Sequence, residues 1–196
     1  MILVIDTSSS RSALGFIDRT ASTRHDVIFG SRDPYPPLSE RLRAAVGDLK
    51  QIEKVVIATG PGSFTGLRRG ASFGLGVAMG LGVPVVPVPT LHLQAARGKG
   101  RFTAIVEAGR GRFYFLPPGG QATLGSPDEI PTDLPLVGLL SSESEALFWN
   151  TEHPLAGHLD VQTVAEAAEE LLKTAREVPY GSVKLEYVQS FGGSKT

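Results

Sequence analysis

Short β-branched runs alternate along this chain with longer stretches in which apolar residues recur every three or four positions. The first run, Ile2-Leu3-Val4-Ile5, ends in Asp6 and predicts a strand, and Thr7-Ser8-Ser9-Ser10 follows as a turn. Residues 12–18 and 24–29 predict two further strands, so the chain opens as a meander. Prolines from Pro34 to Pro37 mark a loop and a helix start. Leu38, Leu42, Ala45, Val46 and Leu49 then follow at helical spacing, with Glu40, Arg41 and Arg43 on the other face. A buried strand is predicted at 55–59, a glycine-rich turn and helix after it, and a short strand at 85–88. Thr90 is placed to cap a helix through Ala96.

The segment Arg97-Gly98-Lys99-Gly100-Arg101 reads as a solvated linker. Beyond it the opening pattern returns: a strand at 102–107, a turn at Gly109-Arg110-Gly111, and a second strand at 112–116. Ile5-Asp6-Thr7 corresponds to Val106-Glu107-Ala108, which suggests two related halves. A strand is predicted at 136–140. An amphipathic helix carries Val161, Val164, Ala165, Ala168, Leu171, Leu172 and Ala175, with Asp160 near its start. Meanders followed by alternating strands and helices predict an α/β fold of two tandem ribonuclease H-like subdomains, each a mixed sheet flanked by helices, as in the actin and sugar-kinase superfamily. The expected division is 1–98 for the first subdomain, 99–191 for the second, and a flexible tail at 192–196. Likeness of architecture carries no function by itself.

Composition narrows the possibilities. A formal charge of −1 over 196 residues argues against an independent, strongly basic nucleic-acid binder. With no cysteine there are no disulfides, thiolate nucleophiles or thiolate metal sites, which fits a reducing cytoplasm. Met1 leads straight into a strand, without the basic region or cleavage site of a secretory signal. The longest apolar stretch, around Phe73 to Val88, is broken by glycines and prolines and does not read as a membrane span. A cytoplasmic protein is expected.

The run Gly60-Pro61-Gly62-Ser63-Phe64-Thr65-Gly66-Leu67-Arg68-Arg69-Gly70 carries most of the functional information. Gly60 and Gly62 permit backbone angles closed to other residues, and Ser63 or Thr65 can cap the following helix. Such a turn either offers backbone N–H groups to an anion or lets another backbone approach closely. It is not a P-loop, because Leu67 and Arg68 stand where a phosphate-binding lysine and a magnesium-binding hydroxyl would be.

Within the helix, Gly66, Gly70, Gly74 and Ala78 fall four apart and share one stripe, with Gly76 and Gly80 besides. Each interior glycine costs about 1 kcal/mol relative to alanine, so several together cost on the order of 3–4 kcal/mol. Close approach of another element would offset this, either within the same domain or from another protein chain.

Candidate chemistry is sparse. Asp6, with Thr7 and Ser8, sits where actin-like phosphotransferases hold a metal-bound phosphate, but a strand-end aspartate that caps its own turn is the favoured reading. Together with Gly60, Gly62 and Ser63, these residues form a candidate nucleotide or anion contact. Glu107 supplies a second carboxylate. His25, His92, His153 and His158 include no i, i+4 pair, and His153 and His158 read as surface histidines. No nucleophile elbow is present. No metal site is predicted, and no catalytic residue.

Ile5-Asp6-Thr7-Ser8, Ser39-Glu40-Arg41-Leu42 and the block from Gly60 to Arg68, with Thr90-Leu91 opening the next helix, resemble the TsaB family of tRNA threonylcarbamoyladenosine biosynthesis proteins. The resemblance is strong over residues 1–95. It departs from the family at Leu38, where a histidine is usual, and at Arg69, where an aliphatic residue is usual. It implies a non-catalytic scaffold that pairs with a TsaD-like catalytic subunit, works with a TsaE-like ATPase, and forms a homodimer when alone. The assembled complex would move a threonylcarbamoyl group from threonylcarbamoyl-adenylate to N6 of the adenosine beside the anticodon, in tRNAs reading codons that begin with A. ATP would be used by the complex, and no cofactor by this chain alone. The resemblance places the contact on the first two helices, near Leu42, Ala45, Val46, Leu49, Gly66, Gly70, Gly74 and Ala78. tRNA affinity would then reside mainly in the complex. The rival expectation is an ATP-dependent phosphotransferase or ATPase using Asp6 and the turn at 60–66. A glycoprotease-like label carried by some relatives finds no proteolytic apparatus here.

Overall fold

The computed structural model describes residues 1–30, 37–149, 151–156 and 161–187. Pro34, His158, Asp160 and the tail at 192–196 lie outside the described residues. The opening meander forms as predicted, with β1 (Ile2–Asp6), β2 (Arg11–Asp18) and β3 (Thr23–Gly30). β1 pairs antiparallel with β2 and parallel with β4 (Lys54–Ala58), which pairs parallel with β5 (Val85–Val88). The order is therefore β3-β2-β1-β4-β5, with β1 at the centre and wholly buried.

Successive strand residues point to opposite faces, so one apolar run serves two cores. Leu3 and Ile5 join Leu14, Phe16, Val55 and Ile57 on one face. Ile2 and Val4 join Ala13, Ile17, Val56 and Ala58 on the other. This two-sided burial explains why β1 and β4 read as unbroken apolar runs.

The first face is covered by α1 (Leu38–Val46) and α2 (Phe64–Leu81). Ser63 caps α2, its hydroxyl accepting from the Gly66 N–H at 3.2 Å, and Gly82 ends it in the left-handed region at φ 68°. The second face is covered by α3 (Thr90–Ala95) and α5 (Val164–Leu171).

The other sheet repeats the plan. β6 (Thr103–Gly109) pairs antiparallel with β7 (Arg112–Leu116) and parallel with β9 (Leu136–Val137), and β8 (Thr123–Gly125) adds an edge. The correspondence between Ile5-Asp6-Thr7 and Val106-Glu107-Ala108 thus extends to the topology. The strand predicted at 136–140 stops after Val137. Gly138 passes so close to the Ile105 carbonyl that a β-carbon would lie 2.2 Å from its oxygen, and Leu139 and Leu140 enter different cores. β8 and the short α4 (Ser142–Ala146) were not predicted.

Two expectations need correcting. A boundary at residue 98 would place the last helix in the second subdomain, yet α5 packs on the first sheet. Val164, Ala165, Ala167 and Ala168 are buried with Ile2, Val4 and Ala13. Asp26 of β3 accepts from the N–H groups of Val164 and Ala165 at 2.6 and 3.0 Å, and Arg24 grips Glu169 at 2.6 and 2.8 Å. The segment at 178–187 also returns to the first sheet, where Val178, Tyr180, Val183 and Leu185 pack on its α2 side.

The second correction concerns the expected solvated linker, which begins as a buried clasp. Arg97 is buried, donating to Gln162 O and Gln94 Oε1, while its carbonyl accepts from the Gln162 N–H. Burial pulls its guanidinium pKa down, against the opposing charges of Asp26 and Asp6.

Candidate functional site

β1 and β6 each deliver a carboxylate toward the junction of the two sheets, and each carboxylate already has its partners. Asp6 is buried. It accepts from the Ser8 N–H at 3.0 Å, the Ser8 hydroxyl at 2.6 Å and the Gln94 amide at 2.7 Å. Gln94 in turn accepts from Arg97, so the aspartate ends a relay inside the protein. Burial pushes its pKa up, against the pull of Ser8, Gln94 and Arg97. Both oxygens face protein donors.

Glu107 joins the two halves. One oxygen accepts from the Ser10 N–H at 2.7 Å, the other from the N–H and hydroxyl of Ser141 at 2.8 and 2.9 Å. Burial raises its pKa, but hydrogen bonds from Ser10 and from the turn at 141–144 outweigh that and hold it below the ordinary value.

The glycine-rich turn folds onto the first of these sites. The Gly60 N–H donates to Thr90 Oγ1 at 2.9 Å and the Ser63 N–H to Ser8 O at 2.6 Å, while the Thr7 hydroxyl donates to Gly66 O at 2.7 Å. A β-carbon on Gly62 would lie 2.6 Å from Ser8 O. Gly60, at φ 115°, faces the backbone of Glu186, whose oxygen would be 2.4 Å from such a carbon. Asp6, Thr7, Ser8, Gly60, Gly62 and Ser63 are therefore brought together, but they bond to one another or to neighbouring protein groups. Close backbone approach is what the glycines serve here.

The helical stripe also turns inward, which corrects its expected place at a partner contact. β-carbons on Gly66 and Gly70 would stand 2.0 Å from Thr7 O and 2.2 Å from Thr7 Oγ1. One on Gly74 would meet Ile57 Cδ1 at 2.8 Å and Ile5 Cδ1 at 3.0 Å, and Ala78 is fully buried. Leu42 is likewise in the protein's own core, with Ala45, Val46 and Leu49 half-buried against it. The small residues let α2 lie directly on β1 and β4.

Sequence reasoning missed the other side of α2. A β-carbon on Gly76 or Gly80 would have no described atom within 4 Å, and Ser72 completes a row at the same spacing. Met79 beside them is 61% exposed. The signal was in the sequence, since those glycines lie out of phase with the first stripe.

Between the sheets runs a cleft of about 960 Å³. Arg11, Ser63, Phe64 and Thr65 line it from one half, and Glu107, the turn at 109–112, Ser141, Ser144 and Leu147 from the other. Of the histidines, His153 is buried, its ring nitrogens 2.9 Å from Thr151 Oγ1 and 2.8 Å from Ile130 O. The expectation of a surface histidine fails there because its ring also packs on Phe148. Among the described residues no group of three or more histidine or carboxylate side chains gathers to hold a metal, and no helix is long and apolar enough to cross a membrane.

Two mixed sheets of matching topology, strand-end carboxylates and an intervening cleft define a protein of the actin and ribonuclease H-like class. Two solved structures share this fold. YeaZ from Pseudomonas aeruginosa matches with a TM-score of 0.66 at 18% identity, covering 95% of this chain and 99% of that one. An uncharacterized protein from the same organism, described as similar to peptidase YEAZ, gives 0.67 at 17% identity over 96% and 99%.

Residues 7–126 match the family model of TsaD, tRNA N6-adenosine threonylcarbamoyltransferase, and the chain belongs to that family. Its curated relatives include the tRNA threonylcarbamoyladenosine biosynthesis protein TsaB of Bacillus subtilis, 31% identical over 58% of this chain and 52% of that protein. TsaB of Escherichia coli is 32% identical over 58% and 53%, and TsaB of Haemophilus influenzae 30% over 48% and 41%. The chain spans about half the length of the curated relatives it matches.

Proposed function

We propose that this chain is a non-catalytic scaffold subunit of a tRNA threonylcarbamoyladenosine-forming assembly. It pairs with a TsaD-like catalytic subunit and works with a TsaE-like ATPase, in the cytoplasm, and self-associates when that partner is absent. The complex transfers the threonylcarbamoyl group from threonylcarbamoyl-adenylate to N6 of the adenosine next to the anticodon in tRNAs reading codons that begin with A. ATP is consumed by the complex, and this chain needs no cofactor.

The observation that carries the reading is the closure of the ancestral site. Asp6 and the turn at 60–66 are bonded to each other's neighbourhood, and both oxygens of Asp6 already accept from protein donors. The docking surface is the outer row of α2, Ser72, Gly76 and Gly80, with Leu75 and Met79 beside it. A partner helix can approach there at backbone distance. It replaces the inner stripe, which already has the protein's own sheet against it.

The test is reconstitution. tRNA modification by the TsaD-like and TsaE-like proteins should require this chain and should fall at least tenfold with Met79→Asp. Modification that proceeds without the chain would refute the reading. ATP turnover by the purified chain, abolished by Asp6→Asn, would establish the phosphotransferase instead.

A further inference from the structure

After α5 the chain runs along the flank of α2 and is pinned to the first unit at four points. Val178 forms an antiparallel bridge to the edge strand β5, its N–H donating to Val85 O at 3.0 Å. The Tyr180 hydroxyl donates to Val83 O at 2.9 Å, with Ala78 O 3.4 Å away. Farther on, the Glu186 N–H donates to Thr59 O at 2.8 Å. The Tyr187 ring lies 5.1 Å from that of Phe64, and its hydroxyl accepts from Arg68 Nε at 3.3 Å. Between these anchors Val183 and Leu185 pack on the core that α2 covers. Residues 178–187 are therefore a strap that grips α2 at both ends, Tyr180 at the carboxyl end and Tyr187 at the amino end.

The composition of α2 makes such a grip necessary. Five of its 18 residues are glycine, each of which weakens a helix. Gly66, Gly70 and Gly74 lie against residues of β1 and β4 and the turn after β1, so the sheet holds the first turns in place. Past Gly74 the support thins. Of residues 75–81 only Ala78 is buried, and Gly76 and Gly80 meet no described atom. The helix ends in a left-handed turn, where the N–H groups of Gly82 and Val83 donate back to Met79 O and Ala78 O. Tyr180 sits on that turn. Its hydroxyl engages the Val83 carbonyl, and its half-buried ring packs on the same core.

We infer that Tyr180 is a positioning residue for partner docking. By fixing the turn at 78–83 it holds the last turns of α2, and with them Gly76, Met79 and Gly80, in the helical form that a partner helix must meet. Weakly supported helix ends open locally, and a face that is formed only part of the time binds with its affinity reduced by that fraction. The cost of ordering then falls on the association step. Tyr180 acts through α2, because its hydroxyl is engaged by the end of that helix. The inference rests on the docking surface proposed above and adds the element that keeps that surface formed.

Two variants of the full chain test this. Tyr180→Ala removes ring and hydroxyl, whereas Tyr180→Phe removes only the hydroxyl and guards against a failure to fold. In Tyr180→Phe, amides at 79–83 should exchange with solvent about fivefold faster, while those of β1 and β4 and the thermal melt stay nearly unchanged. Association with the TsaD-like partner should slow by about twofold in Tyr180→Phe and about fivefold or more in Tyr180→Ala. Dissociation should change little in either. A residue that touched the partner directly would instead act mainly by raising the dissociation rate.

Unchanged exchange at 79–83 in both variants would overturn the inference. So would affinity lost through faster dissociation, which assigns Tyr180 to the contact itself, or faster exchange with an association rate equal to that of the parent. The parent chain separates the two readings. Its failure to bind the TsaD-like partner refutes the docking reading, whereas a parent that binds, with variants that bind and exchange as it does, refutes the strap alone.

Discussion

The two faces of α2 carry the same residue type for opposite reasons. On the inner face, Gly66, Gly70 and Gly74 touch Thr7, Ile5 and Ile57, and any side chain there would collide with β1 or β4. On the outer face, Gly76 and Gly80 meet none of the described residues. The inner glycines recover their conformational cost within the fold, by letting a helix settle on a sheet at backbone distance. The outer ones recover none of it from the described residues. A glycine-rich helix is therefore not one signal but two, and only the unmatched face points outward.

Substitutions can break that comparison. The largest effect is expected for Gly70→Leu, whose β-carbon would stand 2.2 Å from Thr7 Oγ1. It should lower stability by about 3 kcal/mol or more, or prevent folding, as thermal or urea denaturation would report. A variant that melts like the parent would show the inner face to be loose. Next comes Gly76→Leu, which should leave the melt nearly unchanged but weaken association with the TsaD-like partner by about tenfold, or 1.4 kcal/mol. Calorimetric titration would read this, and an unchanged affinity would remove the outer row from the docking surface.

Smaller and opposite in sign is Gly76→Ala, which should stabilise the isolated chain by about 0.5–1 kcal/mol, since alanine is the better helix former and meets no described neighbour. Gly74→Ala should destabilise, and the difference between the two melts measures the asymmetry of the faces. The smallest effect concerns the carboxylates that end the paired strands. Glu107 is held below its ordinary pKa, so its contribution is complete above the unfolded value near ~4.3 and is lost as pH falls through the folded one. Asp6 is shifted upward, so acid acts on it with the opposite sign. Glu107→Gln should flatten the acid limb of a stability–pH curve relative to the parent. An identical limb would mean that Glu107 does not clamp the halves.

Much of the fold was legible because strand and helix periods differ. The buried runs of β1 and β4, the hairpin at 102–116 and the amphipathic α5 all follow from spacing alone. What escaped was long-range. Nothing local reveals that Asp26 on β3 caps α5 from 138 residues away, or that Arg97 lies under Gln162 instead of in solvent. Those contacts depend on which sheet a helix chooses, and the apolar stripe of α5 would fit either. β8 and α4 are too short to establish a period. The candidate site was legible as a set of residues and misleading as chemistry. Asp6, Thr7, Ser8 and the glycine turn do meet, but the sequence could not show that their hydrogen bonds close on one another.

The return of α5 to the first sheet makes the second unit an insertion in the chain path, anchored at both ends to the first. On the second face of the first sheet, the part that α5 covers stays open until residues near 164–168 have emerged from the ribosome, although α3 is already in place. The amino-terminal half therefore cannot mature ahead of the rest during synthesis, and a fragment ending at residue 98 would expose a wide greasy surface and aggregate. Folding here closes like a purse, with the last helix drawing the string.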